Sequence, residues 1–394
     1  MAMNCNNIVR LGEVAELTTA LLTDGAVYEK DKDGNEVLVT VGDKRTTPAM
    51  MVWGPAGVGK SATPREIAKK MGIGYVDVRP AQMESCDLRG IGMPDKDTGT
   101  VKWFAPDFWP KADDPAHPEY KKGGILVLDE LPAAPRDAQV ACYEIILDRQ
   151  IGGGSVYKLP DNWIIIAAGN RAQDRAVSTT MSSALANRMM HFEVEANLDD
   201  WMEWALTHDV DPTVVAFLKA VPSLLHKVDD NTNLQRGFPT PRSWEGVSNI
   251  CKKGLPEAAL RIAVNGLVGE SAGTQFLQFH KVASQLADVK ELMLDPTKPV
   301  NVPKEAQLTW AMVSTMVYHV WRGKDAEESK ALLDGFLRLV MNLPASFATM
   351  AVTWAQKGNA SLTGQKASLK MMMCPRYKEY RKKFHTTTNE DTEV

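Results

Sequence analysis

One stretch of the sequence decides the fold, and it reads Gly54-Pro55-Ala56-Gly57-Val58-Gly59-Lys60-Ser61. It fits the pattern G-x-x-x-x-G-K-[ST], in which glycines allow successive backbone N–H groups to converge on phosphate oxygens. In that pattern the lysine, here Lys60, reaches the terminal phosphates, and the hydroxyl of Ser61 ligates Mg²⁺. The eight residues together therefore predict a site for a magnesium nucleotide.

The residues on either side of this loop predict a strand before it and a helix after it. Residues 48–53 are a short, mostly apolar run, and residues 62–71 have a helical pattern. This order of strand, loop and helix is the context that the pattern requires, and it disfavours the alternative of a glycine-rich turn that merely caps a helix. Pro64 is unusual, because its ring either bends the helix or fits only where early N–H groups lack partners.

Length, charge and cysteine content restrict the class of protein. The chain has 394 residues, enough for two or three domains, and its net charge of −4 gives no overall attraction to nucleic acid or anionic membranes. The five cysteines are scattered without metal-binding spacing, which is typical of a reduced compartment. No apolar run approaches the roughly 20 residues of a membrane span, and no signal peptide is evident. We expect a soluble, cytoplasmic protein without a membrane association.

The segments before and after the loop region predict a mixed architecture. Residues 8–22 have apolar positions at helical spacing, and residues 26–41 resemble a hairpin that turns at Asp33-Gly34. Residues 74–79 alternate like a strand. Residues 85–110 are too long for a simple connection, and their four aromatic residues indicate either a functional loop or a small core of its own.

Two carboxylates, Asp129 and Glu130, follow a run of four apolar residues that predicts an interior strand of a parallel sheet. Ligands of such sheets bind at the carboxyl ends of the strands, so both side chains are expected beside the phosphate loop. One carboxylate would hold Mg²⁺ or its water shell, and the other would polarise the attacking water. The alternatives are a solvent-exposed strand end, or caps for a helix that begins near Asp137.

A polar residue, Asn170, lies just after the next predicted strand, residues 163–168, which follows a helix at 139–149 and a glycine-turned hairpin or loop at 150–158. An asparagine there can hydrogen-bond the γ-phosphate or the lytic water, although the residue type alone favours an ordinary turn. A short helix at 182–190 carries Arg188 and precedes a fifth strand at 191–195.

Beyond residue 197 the pattern is predominantly helical. Thr240-Pro241-Arg242 is typical of a helix start, and Arg242 there opposes the helix dipole unless an anion or a surface carboxylate lies nearby. A proline-rich connector at 296–303 precedes further helical patterns at 305–321, 326–341 and 345–354. Residues 376–385 are basic and aromatic, which indicates a solvated helix or, alternatively, a contact with an acidic partner or nucleic acid. Residues 386–394 are expected to be disordered.

Taken in order, these motifs resemble those of an AAA+ ATPase, most closely the MoxR-like group of the helix-2-insert clade found in phages and bacteria. Residues 54–61 are similar to Walker A, residues 125–130 to Walker B, and Asn170 to sensor 1. Arg188 stands where the family has its arginine finger, and Arg242 where it has the sensor 2 arginine. Residues from Asp87 resemble the helix-2 insert, about 85–110, and residues 150–160 the pre-sensor-1 hairpin.

The resemblance implies an α/β fold: an AAA+ core at 46–197, with a parallel sheet between helices, then a helical lid at 198–290 and a helical extension at 291–394. Residues 1–45 would add a helix and a hairpin. The chain departs from the family in two places. Met189 follows the predicted finger where relatives usually have phenylalanine, and Arg171 follows Asn170 where proline is frequent.

The resemblance also implies a mechanism with ATP and Mg²⁺ as cofactors. Lys60 and the loop would bind phosphates, Ser61 and Asp129 the metal, while Glu130 and Asn170 would activate and orient water. Arg242 would sense the γ-phosphate from the lid, and Arg188 would complete a neighbouring subunit's site in a hexameric ring. The client would be a protein complex, reached through a partner with a von Willebrand A domain. A nucleic-acid motor and a non-hydrolysing scaffold stay open as alternatives.

Overall fold

The computed structural model describes residues 8–171, 174, 181–228, 232, 236–284, 286, 288–359 and 362–384. The chain divides into two compact units, the first ending at Ala196 and the second beginning at Asn197. The predicted disordered tail, residues 386–394, lies outside the described residues. No helix in the described ranges is both long and apolar enough to cross a membrane.

The first unit alternates strands and helices. Its elements in chain order are β1 (Ile8–Val9), α1 (Leu11–Thr23), β2 (Val27–Lys30), β3 (Glu36–Thr40), β4 (Ala49–Trp53), α2 (Ala62–Met71), β5 (Gly74–Val78), α3 (Ser85–Arg89), β6 (Ile91–Asp95), β7 (Thr100–Phe104), β8 (Gly124–Leu128), α4 (Arg136–Asp148), β9 (Gln150–Ile151), β10 (Tyr157–Lys158), β11 (Trp163–Gly169), α5 (Ser183–Ala186) and β12 (Met189–Val194).

A six-stranded parallel sheet forms the centre of this unit, in the spatial order β1-β12-β4-β11-β8-β5. Every residue of β8 and β11 is buried, as expected for strands that are covered by helices on both faces. One buried cluster packs with α1 and α2 on one face, and a second packs with α4 on the other. The predicted α/β fold with helices on both sides of a parallel sheet is confirmed.

The N-terminal helix prediction is wrong at its first residues. Residues 8–22 were expected to form one helix, but Ile8 and Val9 form β1, which pairs in parallel with Glu193 and Val194 of β12. The helix begins at Leu11 instead. A pair of apolar residues has no periodicity that distinguishes a strand from a helix, and its partner strand lies far away in the sequence.

Residues 85–110 contain a short helix and an antiparallel hairpin of β6 and β7. The four aromatic residues divide into a buried and an exposed pair, and they do not form a separate small core. Trp109 is buried, donates from Nε1 to the Leu88 carbonyl at 3.0 Å and packs in the first unit's core with Phe108. Trp103 and Phe104 are about half exposed on β7. The hairpins predicted at 26–41 and 150–158 are confirmed as β2–β3 and β9–β10.

The second unit is predominantly helical, as predicted. Its elements are α6 (Leu198–Thr207), α7 (Pro212–Ala220), α8 (Pro241–Cys251), α9 (Glu257–Val268), α10 (Glu270–Ala283), α11 (Val289–Leu294), α12 (Ala306–His319), α13 (Ala326–Val340), α14 (Ala345–Gln356), β13 (Gly358–Asn359), β14 (Leu362–Thr363), α15 (Gly364–Met373) and α16 (Pro375–Phe384).

The rings of Phe217, Trp244 and Phe276 form an aromatic centre in this unit, with centroids 5.4–5.7 Å apart. Helix α7, from the predicted lid, packs against α12, from the predicted extension. The regions before and after residue 290 are therefore parts of one compact unit. In the basic aromatic segment, Tyr377 and Tyr380 are buried, so these two rings belong to the core.

We expect Gly124→Ala to lower the free energy of unfolding by about 1–3 kcal/mol, the usual cost of overpacking. A Cβ atom at Gly124 would lie 2.6 Å from the Gly74 carbonyl oxygen and 2.7 Å from the ring of Trp163. Chemical denaturation would measure the change. Gly266→Ala is the control, because no heavy atom lies within 4 Å of its added Cβ and alanine favours a helix. Equal stability of the Gly124→Ala and wild-type proteins would contradict this packing.

Candidate functional site

The phosphate-binding pattern occupies the loop between β4 and α2, at the carboxyl edge of the sheet. Gly57 and Gly59 have φ angles of 79° and 108°, a region that favours glycine. Gly54 donates its N–H to the Gly169 carbonyl at 3.1 Å, and a Cβ there would lie 2.5 Å from the Val194 carbonyl oxygen. The loop therefore begins in a narrow space between β11 and β12 that only glycine fits.

Backbone donors are available in this loop. The N–H groups of residues 56–59 bond to no acceptor within the described ranges of the chain. Such a series of N–H groups at a helix N-terminus is a typical phosphate site. Pro64 is buried at the third position of α2, where helix N–H groups lack intrahelical partners, so its missing N–H removes no intrahelical hydrogen bond.

Lys60 and Asn170 lie together, although 110 residues separate them in the sequence. The Lys60 Nζ atom donates to the carbonyl oxygens of Gly54 and Pro55, at 2.7 and 2.8 Å, and to Asn170 Oδ1 at 3.0 Å. The ammonium is thus held at the start of the loop by neutral oxygens. An arriving phosphate would offer it a charged acceptor, which forms a stronger hydrogen bond.

Ser61 and Asp129 are also in contact. The Ser61 hydroxyl donates to Asp129 Oδ2 at 2.7 Å. The Asp129 backbone N–H donates to the Val78 carbonyl at 2.8 Å, which fixes the end of β8 against β5. Tyr75 on β5 donates from its hydroxyl to the Ser61 carbonyl at 3.2 Å. Burial, and secondarily Asp77, raise the pKa of Tyr75 to about 12, so it stays a donor at neutral pH.

These two oxygens fit Mg²⁺. Magnesium prefers hard oxygen ligands, keeps several waters, and uses one or two protein groups together with substrate phosphates. Adjacent ligands of an octahedral magnesium ion are about 2.9 Å apart, close to the Ser61–Asp129 separation. In the described residues, no group of three or more His, Cys, Asp or Glu side chains could hold a metal ion. Ser61 and Asp129 are therefore the residues that would bind magnesium together with the nucleotide.

Glu130 has a backbone conformation that few non-glycine residues adopt. Its φ and ψ angles are 55° and 28°, its side chain is exposed, and its N–H donates to Asp129 Oδ1 at 3.0 Å. A left-handed conformation costs about 1 kcal/mol or more and occurs frequently at functional sites. Helix α4 begins at Arg136 without a side-chain cap, so neither acidic residue caps it.

Neither predicted arginine takes part in the contacts described above; Arg188 belongs to the first unit and Arg242 to the second. Arg188 is exposed in the turn between α5 and β12, and no carboxylate in the described ranges lies within ion-pair distance of it. Arg242 is exposed in the first turn of α8, which Thr240 caps by accepting from the Ser243 N–H. No described carboxylate of the second unit pairs with Arg242. The roles assigned to both residues stay predictions.

Sequence reasoning missed two sets of contacts near the loop. Arg171 lies against Asp174, Glu193 and Glu195, within 3.0–3.5 Å. Trp53 donates from Nε1 to His191 Nδ1 at 3.0 Å, and His191 Nε2 lies 2.8 Å from the Ala186 carbonyl oxygen. In the sequence, these contacts are indicated only by polar residues in or next to three predicted strands. The order of the strands in the sheet is needed to see that these residues meet.

Comparison with known proteins agrees with this geometry. Residues 49–189 match the family model of the AAA domain, dynein-related subfamily. The matched range begins with β4 and ends at the first residue of β12, so it contains the loop and the strand ends described above. The first unit thus contains an AAA domain.

The other comparisons add little. A search of the curated proteins finds no match. Among solved structures, the chain is similar to a putative ATPase from Cytophaga hutchinsonii, with 11% identity, 88% of this chain and 81% of that chain covered, and a TM-score of 0.32. At that TM-score the likeness carries no further argument.

We expect Lys60→Ala to weaken the binding of magnesium ATP at least about tenfold, or 1.4 kcal/mol, because a charge-assisted bond to phosphate is lost. Titration with a fluorescent ATP analogue would measure the affinity. Lys69→Ala is the control, since Lys69 is exposed in the last turn of the same helix. Wild-type affinity of a folded Lys60→Ala protein would contradict the assignment of this loop.

Proposed function

We propose that this protein is a cytoplasmic, MoxR-like AAA+ ATPase that acts as an oligomeric ring and couples ATP hydrolysis to the remodelling of a protein complex. One observation carries the proposal. Lys60 contacts Asn170, and Ser61 contacts Asp129. The phosphate loop and the carboxyl ends of β8 and β11 therefore line a single site. Lysine, serine and aspartate are the residue types that bind the phosphates and Mg²⁺ in P-loop NTPases, and here they lie at one sheet edge beside Asn170.

Each residue would have a distinct role in hydrolysis. Lys60 and the loop N–H groups bind the phosphates, and Ser61 and Asp129 hold the metal. Magnesium, when bound, neutralises charge that develops on the phosphate oxygens. Glu130 accepts a hydrogen bond from the attacking water, and Asn170 orients that water. The absence of an Asn/Thr-Lys-x-Asp motif from the sequence supports adenine over guanine.

The exposed position of Arg188 supports a role between subunits. A guanidinium without a carboxylate partner in the described ranges is available to an anion on another molecule. Arginine fingers of this kind contribute roughly 10³–10⁵ in rate by stabilising charge on the transferred phosphoryl group. The site would then be complete only when a neighbouring chain is present, which makes a ring, most simply a hexamer, part of the proposal.

The β6–β7 hairpin supports a protein client. Ile91, Met93, Val101, Trp103 and Phe104 are each 50–67% exposed on these two strands. Exposed apolar side chains concentrated on one small element are typical of a protein contact, where aromatic residues contribute most of the binding energy. Contact through a partner with a von Willebrand A domain is part of the proposal by family resemblance alone.

Two variants test hydrolysis and its completion by a neighbour. Glu130→Gln removes the carboxylate but keeps its size, so we expect ATP binding to persist while turnover falls by about 10²–10⁴. Arg188→Ala should lower turnover by roughly 10³–10⁵ without loss of ATP binding. Phosphate release measures both, and Glu36→Gln on the exposed β3 strand is a matched control.

Mixing the two inactive proteins gives the decisive result. In a mixed ring, the Arg188→Ala subunit keeps Glu130 and receives Arg188 from a Glu130→Gln neighbour, so activity should return in part. Native mass spectrometry would verify that mixed oligomers form. Mixed rings without recovered activity would contradict a finger that acts between subunits, and a wild-type protein that hydrolyses no ATP would contradict the proposed function.

A nucleic-acid motor is the second candidate, and the C-terminal helices favour it. Residues 364–384 contain seven basic residues against one acid. The tyrosines of α16 are buried, however, and cannot stack on bases. We therefore expect a labelled oligonucleotide to bind no more tightly than about 10⁻⁶ M in fluorescence anisotropy. Tighter binding that falls steeply with salt and is lost in Lys370→Glu/Lys378→Glu would favour the motor instead.

A further inference from the structure

Arg171 immediately follows Asn170 and is the most extensively paired arginine near the loop. Its guanidinium contacts both carboxylate oxygens of Asp174, with the shortest distance 3.0 Å, and its backbone N–H donates to Asp174 Oδ2 at 2.8 Å. The two side chains are only 12% and 9% exposed. Asp174 therefore fixes both the backbone and the side chain of Arg171.

The same guanidinium reaches a different strand. Its Nη1 atom lies 3.5 Å from Glu193 Oε2 on β12 and 3.4 Å from Glu195 Oε1 just beyond that strand. In the sheet, β4 lies between β11 and β12, since Trp53 pairs with both Gly169 and Glu193. Arg171 thus connects the strands on both sides of the one that leads into the phosphate loop.

This arrangement restricts the residue next to it. Asn170 lies between Gly169, whose carbonyl accepts from the Gly54 N–H, and Arg171, whose backbone N–H is held by Asp174. Both neighbours of Asn170 are thereby anchored, one to the loop and one to a buried carboxylate. Its Oδ1 atom is then held 3.0 Å from Lys60 Nζ.

The charges around Arg171 argue against direct contact with nucleotide. Three carboxylates in the described ranges already pair with this guanidinium, so its N–H donors are directed at them and not at a phosphate. Although burial lowers it, bonding to Asp174, Glu195 and Glu193 raises the pKa of Arg171 overall, so the guanidinium stays charged. Its effect on the reaction must therefore pass through Asn170.

The geometry points to Arg171 as a positioning residue that holds Asn170 toward the terminal phosphate by connecting β11 to β12 across the start of the phosphate loop. The inference rests on the proposed function, in which Asn170 contacts the γ-phosphate or the attacking water. Lysine cannot reproduce the connection, because an ammonium is a point charge without the planar fork of a guanidinium.

Arg171→Lys tests this inference while keeping the charge. In the proposed site, Asn170 contacts only the γ-phosphate end of the nucleotide. Displacing it should therefore lower the preference for ATPγS over ADP in binding by about tenfold, which is within the range of interaction energies between contacting residues. The turnover number for ATP should fall similarly. In an Asn170→Ala background, Arg171→Lys should change neither quantity more than about twofold. Arg45→Lys is the matched control, since Arg45 forks onto Asp43 at the opposite edge of the sheet.

The outcomes separate this inference from the proposed function. Equal losses in the two backgrounds, or an unchanged ratio of ATPγS to ADP affinity in the single variant, would overturn the positioning role. A changed ratio in a protein that hydrolyses no ATP would keep the positioning role and overturn the proposed hydrolysis. If Arg171→Lys does not fold, Asp174→Asn weakens the same clamp and should reproduce the altered ratio, and an unaltered ratio there would overturn the inference.

Discussion

Strand β4 ends between two parallel neighbours, β11 and β12, and the rest of the site depends on this constraint. Hydrogen-bonded parallel neighbours leave about 4.8 Å between strands, so the chain leaving β4 must turn in a space that β11 and β12 already limit. Gly54 meets that condition, because a single added carbon would lie 2.5 Å from the Val194 carbonyl oxygen. From Gly54 the loop continues beside the ends of β8 and β11. Asp129 and Asn170, which follow these strands, therefore come within hydrogen-bond distance of Ser61 and Lys60.

The buried strand β8 and the strained turn that follows it place the two acidic residues in different environments. Each residue of β8 is completely or almost completely buried, whereas Glu130, two residues beyond it, is exposed and has a φ angle of 55°. An unfavourable backbone conformation persists only where the surrounding structure holds it in place. At Glu130 it is held by the hydrogen bond from the Asp129 N–H to the Val78 carbonyl and by the turn that follows. The backbone of Glu130 is consequently fixed while its carboxylate stays exposed to water.

Most of the fold was predictable because its signals are local. The loop, α2 and the apolar strands β8 and β11 each carry their own pattern of residue types, and the α/β order follows from them. The missed features depend on pairing at a distance: β1 becomes a strand only through β12, and the contacts of Arg171 require β12 to lie two strands from β11. Composition likewise could not show that Trp109 is buried while Trp103 is exposed, because the two differ only in whether the hairpin or the core surrounds them.

The distribution of arginines supports the proposal that a second chain completes the site. Hydrolysis of a phosphoanhydride develops charge that one lysine does not fully balance, and a guanidinium usually supplies the remainder. Arg171 is the arginine adjacent to Asn170 in sequence, but three carboxylates already neutralise it and fix it away from that task. Arg188 differs in both respects, since it is exposed and has no carboxylate partner in the described ranges. In the proposed mechanism, the first unit therefore uses Arg171 to hold Asn170 and leaves Arg188 at the surface, where it is available to the nucleotide of a neighbouring chain.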